Sequence, residues 1–439
     1  MLESLFTNGI YSWLDLILIG WTLGLVWLAC RALITKGALR DKAARALTEE
    51  RFLFGDWAGD MRQTAGGWMF LTAVVLLQID VFFMNSLVRE SGAAWHSFIA
   101  PKMEPLYFCL IVLKLVFFTR YSGWQLGVGW CFFFVSRWVF INNHEFWVIT
   151  GILFALAAKD APLRRTLKTG LAVSATCFLA VVLGSVFGWI GTVTGFYGIP
   201  RDRNSFGYGW YTLTGALLLG LCLMYVCWRQ VKNLRWFDFV LLAAAMVFSD
   251  QGPDCRSSTV CIALMMLLLL LLRLVPAIAK PVWIRVLVSA APAVVFGMSL
   301  LSGWLYDPAV PFWEKVNGMF TGRLYLANQA LTGSQIAIAG QGSWNTDFVV
   351  DNFYVAQWIF GGPVMSLLLW AAVTLLLWRL MKKGAVTESV CLVVMLAHAF
   401  MDVHFSWPCI NITLWLLPCA LYLLPADRTP SFAPEEKTA

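Results

Sequence analysis

Charge is scarce in this chain. Asp, Glu, Lys and Arg make up 13% of its 439 residues, while 60% are hydrophobic. Soluble domains carry about 25% charged residues, so a water-soluble globular class is excluded and lipid is the expected solvent. Other absences narrow the chemistry. There is no G-x-x-x-x-G-K-[ST] run and no nucleotide-binding pattern, which argues against ATP hydrolysis. H-E-x-x-H is missing, and the 11 cysteines are scattered, mostly within apolar runs, with no C-x-x-C pair. They read as small packing residues, so neither a metal site nor another cofactor is expected. Without D-x-D, a nucleotide-sugar transferase needing a divalent metal is disfavoured. No internal repeat occurs, and the one low-complexity tract is the leucine run at 267–272.

What is present is apolar sequence of membrane length. Stretches of about 18 residues or more, each able to cross about 30 Å of hydrocarbon, recur along the chain. They run from residue 10 to residue 425 and leave no room for a soluble domain. The first, near 12–34, is too long for a signal-peptide core and lacks a cleavage-type ending, so it reads as a retained helix. Basic residues cluster in short loops at 36–66, 159–168, 228–236 and 379–383, and at Arg273, Lys280 and Arg285. The positive-inside rule puts these in the cytoplasm, so the net charge of +7 reflects topology and not a nucleic-acid partner.

Alternation then predicts an all-α polytopic membrane protein with about 12–13 transmembrane helices. The N-terminus is expected outside, and the last three spans lie at 353–378, 387–405 and 409–425. Residues 1–425 form one transmembrane domain, with a long outer segment at about 305–352 that is a candidate for binding or catalysis. The polar stretch 426–439 is expected to be a disordered cytoplasmic tail.

On this map the outside holds seven of the 32 Lys and Arg, among them Arg201, Arg203, Arg256 and Arg323. A guanidinium keeps its charge and presents a fork that fits phosphate oxygens, so arginines converging on one face suggest a phosphorylated lipid. In RDRNSFGYG (201–209), Gly207 and Gly209 allow a nest-like turn in which backbone amides join Arg203 around an anion, with Asn204, Ser205 and Tyr208 nearby. The alternative is an ordinary polar loop. Arg256 follows Asp254, so a local pair closing a turn competes with a substrate role. Arg323 opens a stretch with Leu324, Leu326 and Leu331 at helical spacing, predicting an amphipathic outer helix over the bundle.

Acids and imidazoles complete the set. Asp347, Asp351 and Asn352 precede the span at Phe353, where one of the aspartates is expected to cap the helix, and either is alternatively an acceptor for the proton of a sugar hydroxyl. His398 and Asp402 are four apart and share a helix face, as a functional pair or a packing pair; His404 follows closely. Asn411 reads as a hydrogen-bonding residue opening the last span.

Taken together, RNSFGYG, DCRSS, GRLYL, GQGSWNTDFVVDNFY and HAFMDVHFSWPCINITLWL, in this order and membrane register, resemble the Wzy-type polysaccharide polymerases of the O-antigen polymerase and ligase superfamily. The likeness covers most of residues 145–425, and no single motif is strict. It implies a GT-C-like helical bundle in the cytoplasmic membrane. That enzyme polymerises undecaprenyl-diphosphate-linked oligosaccharides into surface polysaccharide on the outer face, without metal and with inversion. Flippase and chain-length regulator proteins are implied partners. The resemblance carries the arginine roles to Arg203 and Arg323, with Arg256 third, and leaves Asp351, Asp347 and His398 as candidate bases in that order. Relatives often continue the first motif with histidine and proline, whereas Gly209, Trp210 and Tyr211 stand here. Three alternatives stay open: a ligase using another acceptor, a flippase or transporter, and a structural scaffold. Asp80, Lys114 and Arg137 are the clear mid-span charges that a transporter would use.

Overall fold

The computed structural model describes residues 24, 27, 45, 47–55, 59–88, 94–144, 146–196, 199–342, 350–424 and 432–433. Among these, helices succeed one another as α1 (Gly59–Met84), α2 (Ala94–Phe117), α3 (Gly123–Asn143), α4 (Phe146–Ala157), α5 (Leu163–Val186), α6 (Tyr211–Arg229), α7 (Trp236–Gln251) and α8 (Arg256–Leu274). They continue as α9 (Val282–Leu305), α10 (Pro311–Met319), α11 (Arg323–Gly333), α12 (Phe353–Phe360), α13 (Gly362–Lys383), α14 (Val386–Met401) and α15 (Pro418–Leu421). Strand structure is confined to two small antiparallel pairs: β1 (Arg51–Phe52) with β2 (Arg120–Tyr121), and β3 (Thr194–Phe196) with β4 (Ile199–Asn204).

Seven of these helices (α1, α3, α5, α6, α8, α9 and α13) are long and apolar enough to cross a membrane, and α4 and α14 are shorter apolar helices. The chain is an all-α, multi-pass membrane protein. Its outward faces carry exposed Leu179, Leu183, Val240, Leu267, Val286 and Leu301, as expected where the solvent is hydrocarbon. Of the sequence-derived spans, 353–378 is broken at Gly361–Gly362 into α12 and α13. The first span lies almost wholly outside the described residues.

The last expected helix, 409–425, forms only in part, as a short apolar helical stretch at Ile412–Leu421 that is 3-10 in its first half. Residues 402–424 pass through the bundle interior as 3-10 turns at His404–Ser406 and Ile412–Leu416, followed by the short α15. Pro408 and Pro418 remove amide donors, which breaks a continuous ladder. Irregular backbone at membrane depth is tolerated where protein buries it and supplies its hydrogen bonds. Both conditions hold here. Cys409, Ile410, Ile412, Leu414 and Trp415 are buried. Side chains provide partners: Asn411 Nδ2 donates to the Phe405 carbonyl (2.9 Å), Gln78 to that of Cys409 (3.3 Å), and Arg379 to those of Cys419 (2.8 Å) and Leu424 (2.7 Å). Asn411 therefore does bond the backbone as expected, but at the head of a 3-10 turn.

The expected disorder of the tail fails at Phe432, which is fully buried. Residues 425–431 and 434–439 lie outside the described residues.

Side-chain contacts separate the two ends of the bundle. At one end Lys159 meets Glu50 (3.2 Å) and Gln125 (2.8 Å), and Arg229 meets Asp238 (3.1 Å). Lys114 belongs here too: it lies in the last turn of α2 and donates to the Lys159 carbonyl (2.8 Å), so it is not a mid-bundle charge. The other end carries the β3–β4 pair, the start of α6, α8 and α12, the end of α14, and helices α10 and α11.

Candidate functional site

The β3–β4 loop is fixed before it can offer anything to a ligand. Phe206 and Gly207 both take left-handed backbone (φ 48° and 88°), and a Cβ on Gly207 would sit 2.9 Å from Val181. The Gly207 carbonyl accepts from the Leu87 amide (2.7 Å), while the Gly209 amide donates to Asn85 (3.0 Å). The amides of Ser205, Phe206 and Tyr208 donate to Val193, the Asn204 side chain and Ser205 respectively. The expected nest is thus closed by internal hydrogen bonds. The turn holds the loop and presents Arg203.

Two residues of this motif leave the candidate list for the same reason. Asn204 Oδ1 accepts from the Phe206 amide (2.8 Å) and from Thr192 Oγ1, so it staples the turn. Tyr208 is fully buried, stacked on Phe178 (6.0 Å, 22°) and edge-on to Phe82 (6.5 Å). It is a core residue, not a substrate contact.

Arg203 spans to the α7–α8 turn. Its Nε lies 3.2 Å from Asp254 Oδ2, and its guanidinium sits 4.3 Å over the Tyr211 ring. The other oxygen of Asp254 faces Arg256 Nε at 3.8 Å. The local Asp254–Arg256 pair expected from sequence exists, but Asp254 is shared, and the tighter partner is Arg203. Arg256 keeps 57% of its side chain exposed.

Arg323 opens α11, which packs its Leu324, Ala327, Ala330 and Leu331 face inward as an amphipathic helix over the bundle. Its Nε lies 3.7 Å from Asp351 Oδ2, and its Nη1 donates to Thr321 (2.5 Å). Asp351 is not the cap of α12. Asn352 is, accepting from the amides of Tyr354 (2.9 Å) and Val355 (3.4 Å), and this accounts for Asn352 without a substrate role. Asp351 is thereby left facing Arg323. Burial among surrounding atoms raises its carboxyl above the ordinary value, and Arg323 opposes that rise.

Between the two arginine clusters lies Asp402. Helix α14 stops at Met401, and the extended backbone of Asp402 still brings its carboxylate 3.8 Å from His398 Nε2. Its other oxygen is 2.7 Å from His404 Nδ1, a short contact without hydrogen-bond alignment. His398 is wholly buried, and neither of its ring nitrogens has a hydrogen-bond partner; Asp402 Oδ2 likewise has none. Unpartnered buried polar atoms are unusual and call for an explanation, and here three of them fall on one carboxylate–imidazole pair. Asp402 acts electrostatically on Cys255, between Asp254 and Arg256, and on Asp351. Arg323 acts on His398 in the same way. Helices α8 and α12 both pack on α14, so the Arg203–Asp254–Arg256 group, the Arg323–Asp351 pair and the His398–Asp402–His404 group gather at one end of the bundle, drawn from five segments of the chain.

Two expected residues fall outside it. Asp347 lies outside the described residues, as does the side chain of Arg201, whose backbone is in β4. Two contributors were missed. Tyr211 lies under Arg203, where the sequence shows only a departure from the first motif, and His404 lies against Asp402. The one hint for His404 was its spacing two residues after Asp402. Among the described residues no group of three or more His, Cys, Asp or Glu could hold a metal ion.

Compared with protein-family models, curated proteins and solved structures, the chain matches none.

Proposed function

We propose that the chain is a membrane glycosyltransferase that extends a polysaccharide by transferring a glycan from a lipid diphosphate to a sugar hydroxyl. The observation that carries this reading is the position of two arginines. Arg256 and Arg323 are each the first residue of a helix, α8 and α11. That is the end where the backbone dipole disfavours a cation and favours an anion. Neither N-cap residue bonds its own helix through a side chain, and in α11 Asn317 Oδ1 accepts from the Tyr325 amide (3.0 Å), so what the two helix starts offer an anion is chiefly the guanidinium held at the positive end of the dipole. Arg203 faces the same turn through Asp254. A multiply charged anion satisfies every one of these groups, and a diphosphate is such an anion.

In this reading the bound diphosphate competes with Asp254 and Asp351 for the guanidinium groups. As the bond from the anomeric carbon to the diphosphate oxygen breaks and the new glycosidic bond to the acceptor forms, negative charge grows on the leaving oxygen. Guanidinium groups already held in place stabilise it, each contributing about 3–4 kcal/mol by analogy with oxyanion donors. The acceptor hydroxyl loses its proton to Asp351, whose raised carboxyl makes it a better base than an ordinary aspartate. Asp402 lies close to both His398 and His404, so its charge favours a proton on either imidazole. Attack opposite the diphosphate inverts the anomeric centre. The Lys- and Arg-bearing loops lie at the far end of the bundle, and by the positive-inside rule this supports a site on the outer face of the cytoplasmic membrane. The family resemblance names undecaprenyl diphosphate as the carrier.

Purified protein incubated with synthetic lipid-diphosphate oligosaccharide alone tests this. Lengthening of the glycan with release of lipid diphosphate supports a polymerase. Transfer that waits for a different acceptor makes the chain a ligase, and no transfer under either condition rejects the proposal.

A further inference from the structure

At the end of the bundle opposite the arginines, one residue of the C-terminal segment is held on every side. Phe432 is fully buried. Its amide donates to Glu388 Oε1 (3.2 Å), and its carbonyl accepts from Arg164 Nη1 (2.7 Å). Its ring meets Trp415 edge-on (6.3 Å, 71°). Arg164 stands in the first turn of α5 and Glu388 in the first turn of α14, and Glu388 also accepts from Gln230 Nε2 (3.3 Å). An acidic acceptor, a cationic donor and an aromatic floor thus receive one residue's amide, carbonyl and ring together. That is the chemistry of a slot for an aromatic residue on a peptide segment.

We infer that this slot is a latch, filled by the chain's own Phe432, and that its occupancy sets the order of the irregular crossing from Asp402 to Leu424. Trp415 is the link. It sits mid-crossing, wedged between Phe432 and Phe70 (6.1 Å). Only Ile412–Leu421 of the crossing is helical, half of it as a 3-10 turn, and no continuous α-helical ladder runs from Asp402 to Leu424, so its register depends on what it packs against. At its far end are Asp402 and His404. Releasing Phe432 frees one face of Trp415 and lets the crossing loosen towards them. A helix in the same place would not respond, because its own ladder would hold it.

This inference stands apart from the chemistry proposed above, since neither of its readouts requires glycosyl transfer. The test compares full-length protein and its Phe432→Ala variant in lipid nanodiscs by amide hydrogen exchange. Exchange across 404–417 is expected to rise about tenfold in the variant. A synthetic peptide of residues 426–439 should bind the variant and reverse the rise, and the same peptide carrying Phe432→Ala should do neither. Should Phe432→Ala fail to fold, Arg164→Met keeps the phenyl ring and removes the carbonyl clamp, and a smaller rise over the same residues is expected. Unchanged exchange in the variant that folds, or a rise that the peptide does not reverse, overturns the latch.

Discussion

Arg203 and Asp254, 51 residues apart, meet at 3.2 Å, and the same carboxylate reaches Arg256 with its other oxygen. One aspartate therefore holds two cationic forks from different segments beside the uncapped start of α8. Removing either partner has distinct consequences. Arg203→Ala should lower transfer about 100- to 1,000-fold, the loss typical of one preorganised donor, while the protein accumulates normally in membranes. Arg203→Lys should recover little, because an ammonium lacks the planar fork and stacks poorly on Tyr211. Rates with purified protein and synthetic donor check both, and near-normal rates for the lysine variant would speak against a bidentate contact.

Asp254→Asn should behave differently. The asparagine keeps the turn's size but no longer competes for the guanidinium groups. Donor affinity is expected to be retained or improved while the rate falls, because Arg203 loses its fixed position. A KM rise without a change in kcat would contradict this split.

Asp351 predicts an acid limb in the pH profile. A raised carboxyl stays protonated to higher pH than an ordinary aspartate, so kcat/KM should fall as pH drops through that raised value. The stability sign is opposite. The folded state binds this proton more tightly than the unfolded chain, so stability is lost as pH rises from the ordinary carboxylate range through the raised value. Asp351→Asn should therefore abolish transfer without lowering Tm at neutral pH. A profile unchanged by this substitution would remove Asp351 as the base.

The irregular crossing depends on close backbone approach. A Cβ at Gly151 would lie 2.5 Å from the Ser406 carbonyl, a backbone atom that cannot swing aside. Gly151→Ala should lower stability by about 1–3 kcal/mol, as overpacking does elsewhere. Thermal unfolding in detergent measures this. Because Ser406 follows His404 closely, transfer should fall as well. Wild-type Tm would mean that the crossing is more compliant than its burial implies.

The helical architecture and the arginine-bearing turns were legible because hydropathy and loop charge act over long windows. Finer features depended on partners far away in sequence. Residues 409–425 have the apolar content of a span, and only Pro408, Pro418 and Asn411 hint that side chains replace part of the helical ladder. Tyr208, flanked by glycines, reads as a loop ligand until Phe82 and Phe178 arrive from α1 and α5 and enclose it. Asp351 and Asn352 are adjacent, and a one-residue shift in where α12 starts decides which caps and which faces Arg323. Phe432 carries no local signal at all. Its slot is assembled from α5, α14 and the crossing.

Binding of sugar-free undecaprenyl diphosphate to the purified protein tests the central claim most directly, measured for wild type, Arg203→Ala, Arg323→Ala and the double variant. If these arginines grip one diphosphate, each single variant should bind at least about tenfold more weakly, and the double variant should fall short of the sum of the two losses. Affinity unchanged by either substitution, or losses that simply add as for separate sites, would contradict a shared diphosphate site.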